Sequence, residues 1–436
     1  MPGKFNSLLP PQAKLLLLGS IVAFGACQQS SNTPSGIPAG AQRGSQQRVF
    51  RLGILGPFTG PAARTGQEFR NAATMAFEKI GYRLGNYKVE LVWIDEQSDP
   101  VKASRAYEEA VIRKGIEAGL LNWHSSVAVA CMEVAAKYKV PHFFGSGATE
   151  VVNEKFRSDP EKYGYWMAKI WPIPAKLSTA YVEALEDAIQ MGRWNPGEKK
   201  MAIYGEDTDW GRSLGAAFRH QFEGKNWRVL AEEYFALNEI DFYPVLQKFR
   251  NLDVRLIVGT STAPPTISAF IKQAREVGLR SLIVADGLGW VGEWYELTGN
   301  ASNGVIDQNP LWNRAEAKAF RDAYVQQWHE RPSPSSAGLA YDSANFFIKL
   351  SEAVLSQSGE LDRAKLYRFC KEKLWTGQFI YTDGIIMPRY EFTPETIPDP
   401  KVGRGYYMFP VVQYSNGESR IIWPQEWREG TLQPPG

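Results

Sequence analysis

"NWHSSVAVACMEVAAKYKVPHFFGSGAT", residues 122–149, sets a helix and a buried strand between two turns rich in hydroxyls and small residues. Val127, Ala130, Cys131, Val134, Ala135 and Tyr138 recur at helical spacing and make one apolar face, so this segment is an amphipathic helix laid on a core. Val140 to Phe144 is short and apolar, the pattern of a strand covered on both sides, and it stops at Gly145-Ser146-Gly147-Ala148-Thr149. Each turn therefore ends a strand. In an open parallel sheet such loops bind ligands, because the helix that follows offers unpaired N–H groups and a positive dipole end. Ser125, Ser126, Ser146 and Thr149 suit a carboxylate there, while Ser126 and Thr149 equally suit ordinary helix caps.

The same alternation continues on both sides. "VFRLGIL", "VELVWID", "GLLNW" and "VPHFF" form a first series of strand-like runs, and "KMAIYG", "WRVLAEEYF", "RLIVGT" and "SLIVAD" a second, with helical patterns between them. Two βαβ series predict an α/β protein of two Rossmann-like lobes, each built on a central parallel sheet. "WPIPAK" at 171–176 and "NGVIDQNPLW" at 303–312 are the expected crossings between lobes. Two long helical stretches follow, Ala315 to Glu330 and Ala337 to Ser356.

With 436 residues, 44% of them hydrophobic, the chain is too long for one core. A net charge of +2, without a block of lysine and arginine, gives no field for nucleic acid, so the partner is a small molecule. The 14 tryptophans must mostly pack, leaving a few to line a cleft. Cys131 and Cys370 read as inert core thiols.

Lys4 and Lys14 precede the apolar stretch Leu15 to Ala26, too short for a membrane span and right for a signal-peptide core, so residues 1–26 are expected to be removed. Phe24-Gly25-Ala26-Cys27 resembles the lipobox of bacterial lipoproteins, with Phe24 where Leu is usual; the resemblance implies lipid on Cys27 and anchoring to a membrane outside the cytoplasm. Residues 27–47 are polar and rich in Gly, Pro and Ser, a flexible tether.

"GILGPFTGPAARTGQEFRNAATMAFEKIG" and "VELVWIDEQSDPVKASRAYEEAVIRKGIEAGLL" resemble the opening lobe of the branched-chain amino acid-binding proteins, the type I periplasmic substrate-binding proteins of ABC transporters. "AIYGEDTDWGRSLG", "FIKQAREVGL" and "LAYDSANFFIKLSEAV" extend the likeness from Val49 to the end. The resemblance implies two lobes joined by three hinge crossings, 48–171 with 306–378 and 172–305 with 379–436, closing on a ligand that is passed to an ABC permease by a monomer without cofactor, metal or chemistry. It places the ligand carboxylate at Ser125, Ser146, Gly147 and Thr149; one extra residue in "GSGAT" leaves Ala148 as the alternative to Thr149, and only Thr149 keeps the hydroxyl. The ligand ammonium falls to Asp286, whose other reading is a helix cap, and the covering aromatic to Trp210. Thr65 and Thr262 stand where the family often has aromatics. The tryptophan-rich loops favour a hydrophobic or aromatic amino acid; urea, a short amide or an aromatic carboxylate is the alternative.

Other classes find less support. Ser261 in "VGTSTA" loosely matches a nucleophile elbow, but two prolines follow and a serine hydrolase needs one of four histidines beside it. "GEDTDWGRS" departs from a phosphate loop in spacing and in Arg212, and "GILGPFTG" lacks the dinucleotide spacing. The same fold also serves as a ligand sensor.

Overall fold

The computed structural model describes residues 48–310, 312, 314–403, 405–406 and 409–435. The expected leader, Cys27 and the tether to residue 47 lie outside them. Among the described residues no helix is long and apolar enough to cross a membrane.

The first sheet holds β1 (Arg48–Gly56), β2 (Arg83–Leu84), β3 (Tyr87–Asp95), β4 (Ala118–Leu120), β5 (His142–Gly145) and β6 (Trp166–Lys169) in the order β2-β3-β1-β4-β5-β6. All neighbours run parallel except the short β2. Right-sized helices return the chain between them: Pro100–Ile112 starts at Asp99, whose carboxylate accepts from Val101 N and Lys102 N with Pro100 at the first turn. His142 is fully buried in β5, bonded to Tyr107 and to the Leu121 carbonyl, and burial lowers its pKa to about 3, so it is a neutral core residue.

The second sheet holds β7 (Lys200–Glu206), β8 (Arg228–Phe235), β9 (Leu256–Thr260), β10 (Leu282–Asp286), β11 (Ile306–Gln308), β12 (Val411–Ser415) and β13 (Glu418–Trp423) in the order β13-β12-β11-β10-β9-β7-β8. Every residue of β9 and β10 is buried, which is why both read as unbroken apolar runs. The sheet is not wholly parallel. β12 and β13 form an antiparallel hairpin whose Asn416-Gly417 turn has φ of +51° and +81°, the left-handed pair such turns require.

Two expected boundaries move. β11 pairs with β10 and β12, so residues 306–308 belong to the second lobe and the crossing follows Gln308. A three-residue strand carries too little pattern to place it from sequence. Residues 379–392, expected in the second lobe, instead pack Phe379, Tyr381, Tyr390 and Phe392 around Phe346 of helix Leu339–Ser358, which lies on the first lobe through Phe347, Phe50 and Phe143. Burial of these rings fixes the segment's place before it crosses to β12.

The first and third crossings are tied together. Lys169 Nζ lies 3.0 Å from Asp399 Oδ1, both side chains are buried, and Lys169 N donates to the Pro398 carbonyl. Lys176 adds a second cation at 3.6 Å. Burial lowers the Lys169 pKa, against the pull of Asp399.

Candidate functional site

The two turns of residues 122–149 form one unit. Asn122 donates to the His124 carbonyl and accepts from Gly147 N, and Ser125 Oγ accepts from Ala148 N at 3.1 Å. A Cβ on Gly147 would stand 2.3 Å from that of Ala128, so only glycine fits between turn and helix. Glu96, buried at the end of the β3 loop, holds His124 Nδ1 and receives the Trp123 and His124 N–H groups. The helix Ser125–Tyr138 then begins with no side chain on its cap, so its first-turn N–H groups stay available beside the cleft.

The facing wall belongs to the second lobe. Glu206 at the end of β7 accepts from Thr262 N, Thr262 Oγ1 and Thr208 Oγ1 within 2.6 to 2.7 Å, which pins both loops. Trp210 opens the helix Asp209–Glu223, and its Nε1 donates to Thr260 Oγ1. Trp290 stands on the short turn after β10. Asp307 accepts from Gly287 N and Gly289 N to shape that turn, Gly287 takes φ of +111°, and Ser333 and Ser336 donate to the Trp290 carbonyl.

Between these walls lies a cavity of about 20 Å³ lined by Trp123, Ser125, Ser146, Trp171, Trp210, Thr262 and Trp290. That is room for about one water. Trp290 fills the centre, with ring centroids 5.3 Å from Trp123, 5.2 Å from Trp171 and 5.9 Å from Trp210. The lining carries no charged side chain. It is rich in donors: the indole N–H groups of Trp171 and Trp290 are buried without a hydrogen-bond partner, and the Ser146 hydroxyl has none among the described residues.

The lobes are shut on each other. Trp123 Nε1 donates to the Thr262 carbonyl, Asp209 N to Ser126 Oγ, and Thr149 Oγ1 meets Ser213 Oγ at 3.0 Å. Glu68, buried in helix Ala63–Lys79, accepts from Gly292 N across the cleft and from Ser333 and Ala337, while Arg64 bridges Glu293 and Glu330. Burial raises the Glu68 pKa to about 7.

Of the residues expected at the site, Ser125, Ser146, Trp210 and Thr262 come together around the cavity, and five do not line it. Gly147 is the packing contact just described. Thr149 caps helix Glu150–Ser158 through Val151 N. Ser126 is taken by Asp209, and Thr65 is buried in its helix with its hydroxyl unpartnered. Asp286 departs furthest from expectation. It is buried at the end of β10, where Tyr181 donates to it at 2.6 Å and Asp307 is its neighbour. Desolvation and the neighbouring Asp307 push its pKa well above the carboxylate range, and it does not line the cavity, so it stands apart from where an ammonium would need a counter-charge. Ser261 Oγ accepts from Ala263 N, and no histidine bonds to it among the described residues. Trp123, Trp171 and Trp290 were missing from the sequence-derived set; each borders a strand-end or crossing already marked, which is the signal that could have named them.

Residues 49–395 match the family model described as periplasmic binding protein. The Leu/Ile/Val-binding protein homolog 6 of Brucella suis is 23% identical over 235 residues, 53% of this chain and 56% of the relative, so the chain spans about half the length of the curated relatives it matches. Among solved structures, the branched-chain amino acid transporter substrate binding protein LivJ from Streptococcus pneumoniae, in complex with isoleucine, is similar with a TM-score of 0.67 at 18% identity, covering 85% of this chain and 98% of that one. A solute binding protein of an ABC transporter from Rhodopseudomonas palustris, in complex with 3,4-dihydroxy benzoic acid, gives 0.68 at 19% identity, with 89% and 99% covered.

Proposed function

The chain belongs to the periplasmic binding protein family, whose members bind solutes and are not enzymes, and we propose that it captures a small carboxylate with a planar apolar body between its lobes. The observation that carries this reading is the lining: four indoles, no charged side chain, and donors at Ser146, Trp171 and Trp290 that lack partners. A buried unpaired donor costs ~1–3 kcal/mol. A ligand that brings acceptors relieves that cost, and the free N–H groups opening helix Ser125–Tyr138 add the dipole end that favours an anion. An α-amino acid would also need a counter-charge for its ammonium, and Asp286 does not line the cavity. The related structures hold one ligand of each kind, isoleucine and a benzoate. The indole walls favour the second.

The closed cavity is smaller than either ligand, so entry requires the lobes to part and Trp290 to yield its place. The three crossings supply the hinge. The small volume favours a second reading, a short neutral amide of the size of urea. Lipid anchoring through Cys27, an extracytoplasmic location and delivery to an ABC permease complete the proposal. Mass spectrometry of small molecules released by denaturing the purified protein, with tryptophan fluorescence titrations of 3,4-dihydroxybenzoate, isoleucine and urea, tests it. An aromatic acid is expected to be retained and to quench the indoles; retention of isoleucine with no response to the benzoate would reject the carboxylate reading.

A further inference from the structure

A second pocket, of about 480 Å³, lies far from the cleft. Tyr165 directly precedes β6 and Lys139 lies just before β5, and β1, β4, β5 and β6 are parallel, so the pocket sits at the amino edge of the first sheet. The cleft lies at the opposite, carboxyl edge. Helix Arg363–Phe369 and the turn after it supply Arg363, Tyr367, Arg368 and Lys371. Four cations thus face one lining carboxylate, Glu372, in a chain whose whole net charge is +2.

Two of the four are already paired, Lys371 with Glu161 and Arg363 with Glu117, and the other two are free among the described residues. Among the described residues Lys139 Nζ and the Arg368 guanidinium have neither an ion pair nor a hydrogen bond, and both residues are exposed. Arg363 spends its hydrogen bonds on the Tyr138 and Ile116 carbonyls, with Glu117 3.7 Å away. Tyr165 and Tyr367 stack with centroids 4.4 Å apart, and neither phenol has a hydrogen-bond partner among the described residues. Free ammonium, guanidinium and phenol groups around one hollow match a phosphate, which accepts several bonds at once. Tyrosine beside Lys and Arg is also the composition that settles at a bilayer surface.

Chain continuity selects the source of that phosphate. β1 begins at Arg48 on this same edge, so residues 27–47, the segment read as a tether from Cys27, join the folded body here. We propose that this pocket docks the first lobe on the phosphate groups of anionic membrane lipids, independently of what the cleft binds. Docking this way presents the amino edge of the first lobe to the bilayer.

The test uses the full chain, carrying Cys27→Ser and a fluorophore on Lys114→Cys, an exposed position leading into β4, reconstituted in vesicles with headgroup-labelled lipid. Energy transfer is expected to be at least threefold higher in phosphatidylcholine vesicles containing phosphatidylglycerol than in phosphatidylcholine alone. Lys139→Ala with Arg368→Ala should abolish the difference. Lys272→Ala with Arg280→Ala, which removes the same charge from the exposed surface of the second lobe, should preserve it. Equal transfer in both vesicle types, or equal loss in both double variants, would overturn the proposal. So would a pocket that binds glycerol phosphate in solution while the fluorophore never approaches the bilayer, since that assigns it to a soluble phosphate ester.

Discussion

Trp290 of the second lobe meets Trp123 of the first edge to face, centroids 5.3 Å apart with the ring planes at 89°. This contact spans the cleft between the lobes. Edge-to-face pairs gain ~0.5–1.5 kcal/mol beyond their burial, so this contact favours the closed arrangement of the lobes. Trp290→Ala should therefore cost ~3–5 kcal/mol of stability by urea unfolding and enlarge the cavity. An unchanged midpoint would show that the indole contributes nothing to closure.

Asp286 and Asp307 separate by function. Because Asp286 does not line the cavity, Asp286→Asn should leave carboxylate affinity within about twofold by calorimetry. Asp307→Ala removes the acceptor for Gly287 N and Gly289 N, and a buried N–H left unpaired costs ~1–3 kcal/mol, so this variant should loosen the Trp290 turn and weaken binding about tenfold or more. Equal effects from both would dissolve the distinction.

Glu68 makes closure sensitive to pH. Its pKa stands at about 7 in the fold, raised by burial from an ordinary 4.5, so the native state holds a proton there that the unfolded chain has released. Stability from this group is full below pH 4.5 and falls as pH rises towards 7, by up to roughly 3 kcal/mol. Unfolding midpoints measured from pH 4.5 to 7.5 should show this slope, and Glu68→Gln should flatten it. A slope untouched by the substitution would assign the effect elsewhere.

Lys169 and Asp399 join two crossings in a buried pair. Asp399→Ala leaves the ammonium buried alone and should cost ~3–5 kcal/mol, whereas Lys169→Met with Asp399→Leu should cost much less. Guanidinium denaturation of the two variants compares them directly. Similar losses would mean that the charges, not their mutual satisfaction, hold the hinge.

Much of this was legible in the sequence. Val127 to Tyr138 announced a helix, "RLIVGT" and "SLIVAD" announced covered strands, and their order announced two lobes. β6 and β11 were not, since four and three residues carry no usable period, and the aromatic cluster on Phe346 joins residues more than thirty positions apart in sequence. At the site, the hydroxyl turns pointed to Ser125 and Ser146 because local chemistry marks strand ends. Asp286 was not placed by local chemistry: its burial beside Asp307 and Tyr181 joins residues that are distant in sequence and adjacent only in the fold.

The sharpest test is calorimetry of 3,4-dihydroxybenzoate on the wild-type protein and on Ser146→Ala, whose hydroxyl has no partner among the described residues and so can be removed without disturbing the fold. A micromolar dissociation constant in the wild type, weakened about tenfold in the variant, is the expected result. Benzoate binding that Ser146→Ala leaves unchanged, or heat from isoleucine alone, would contradict it.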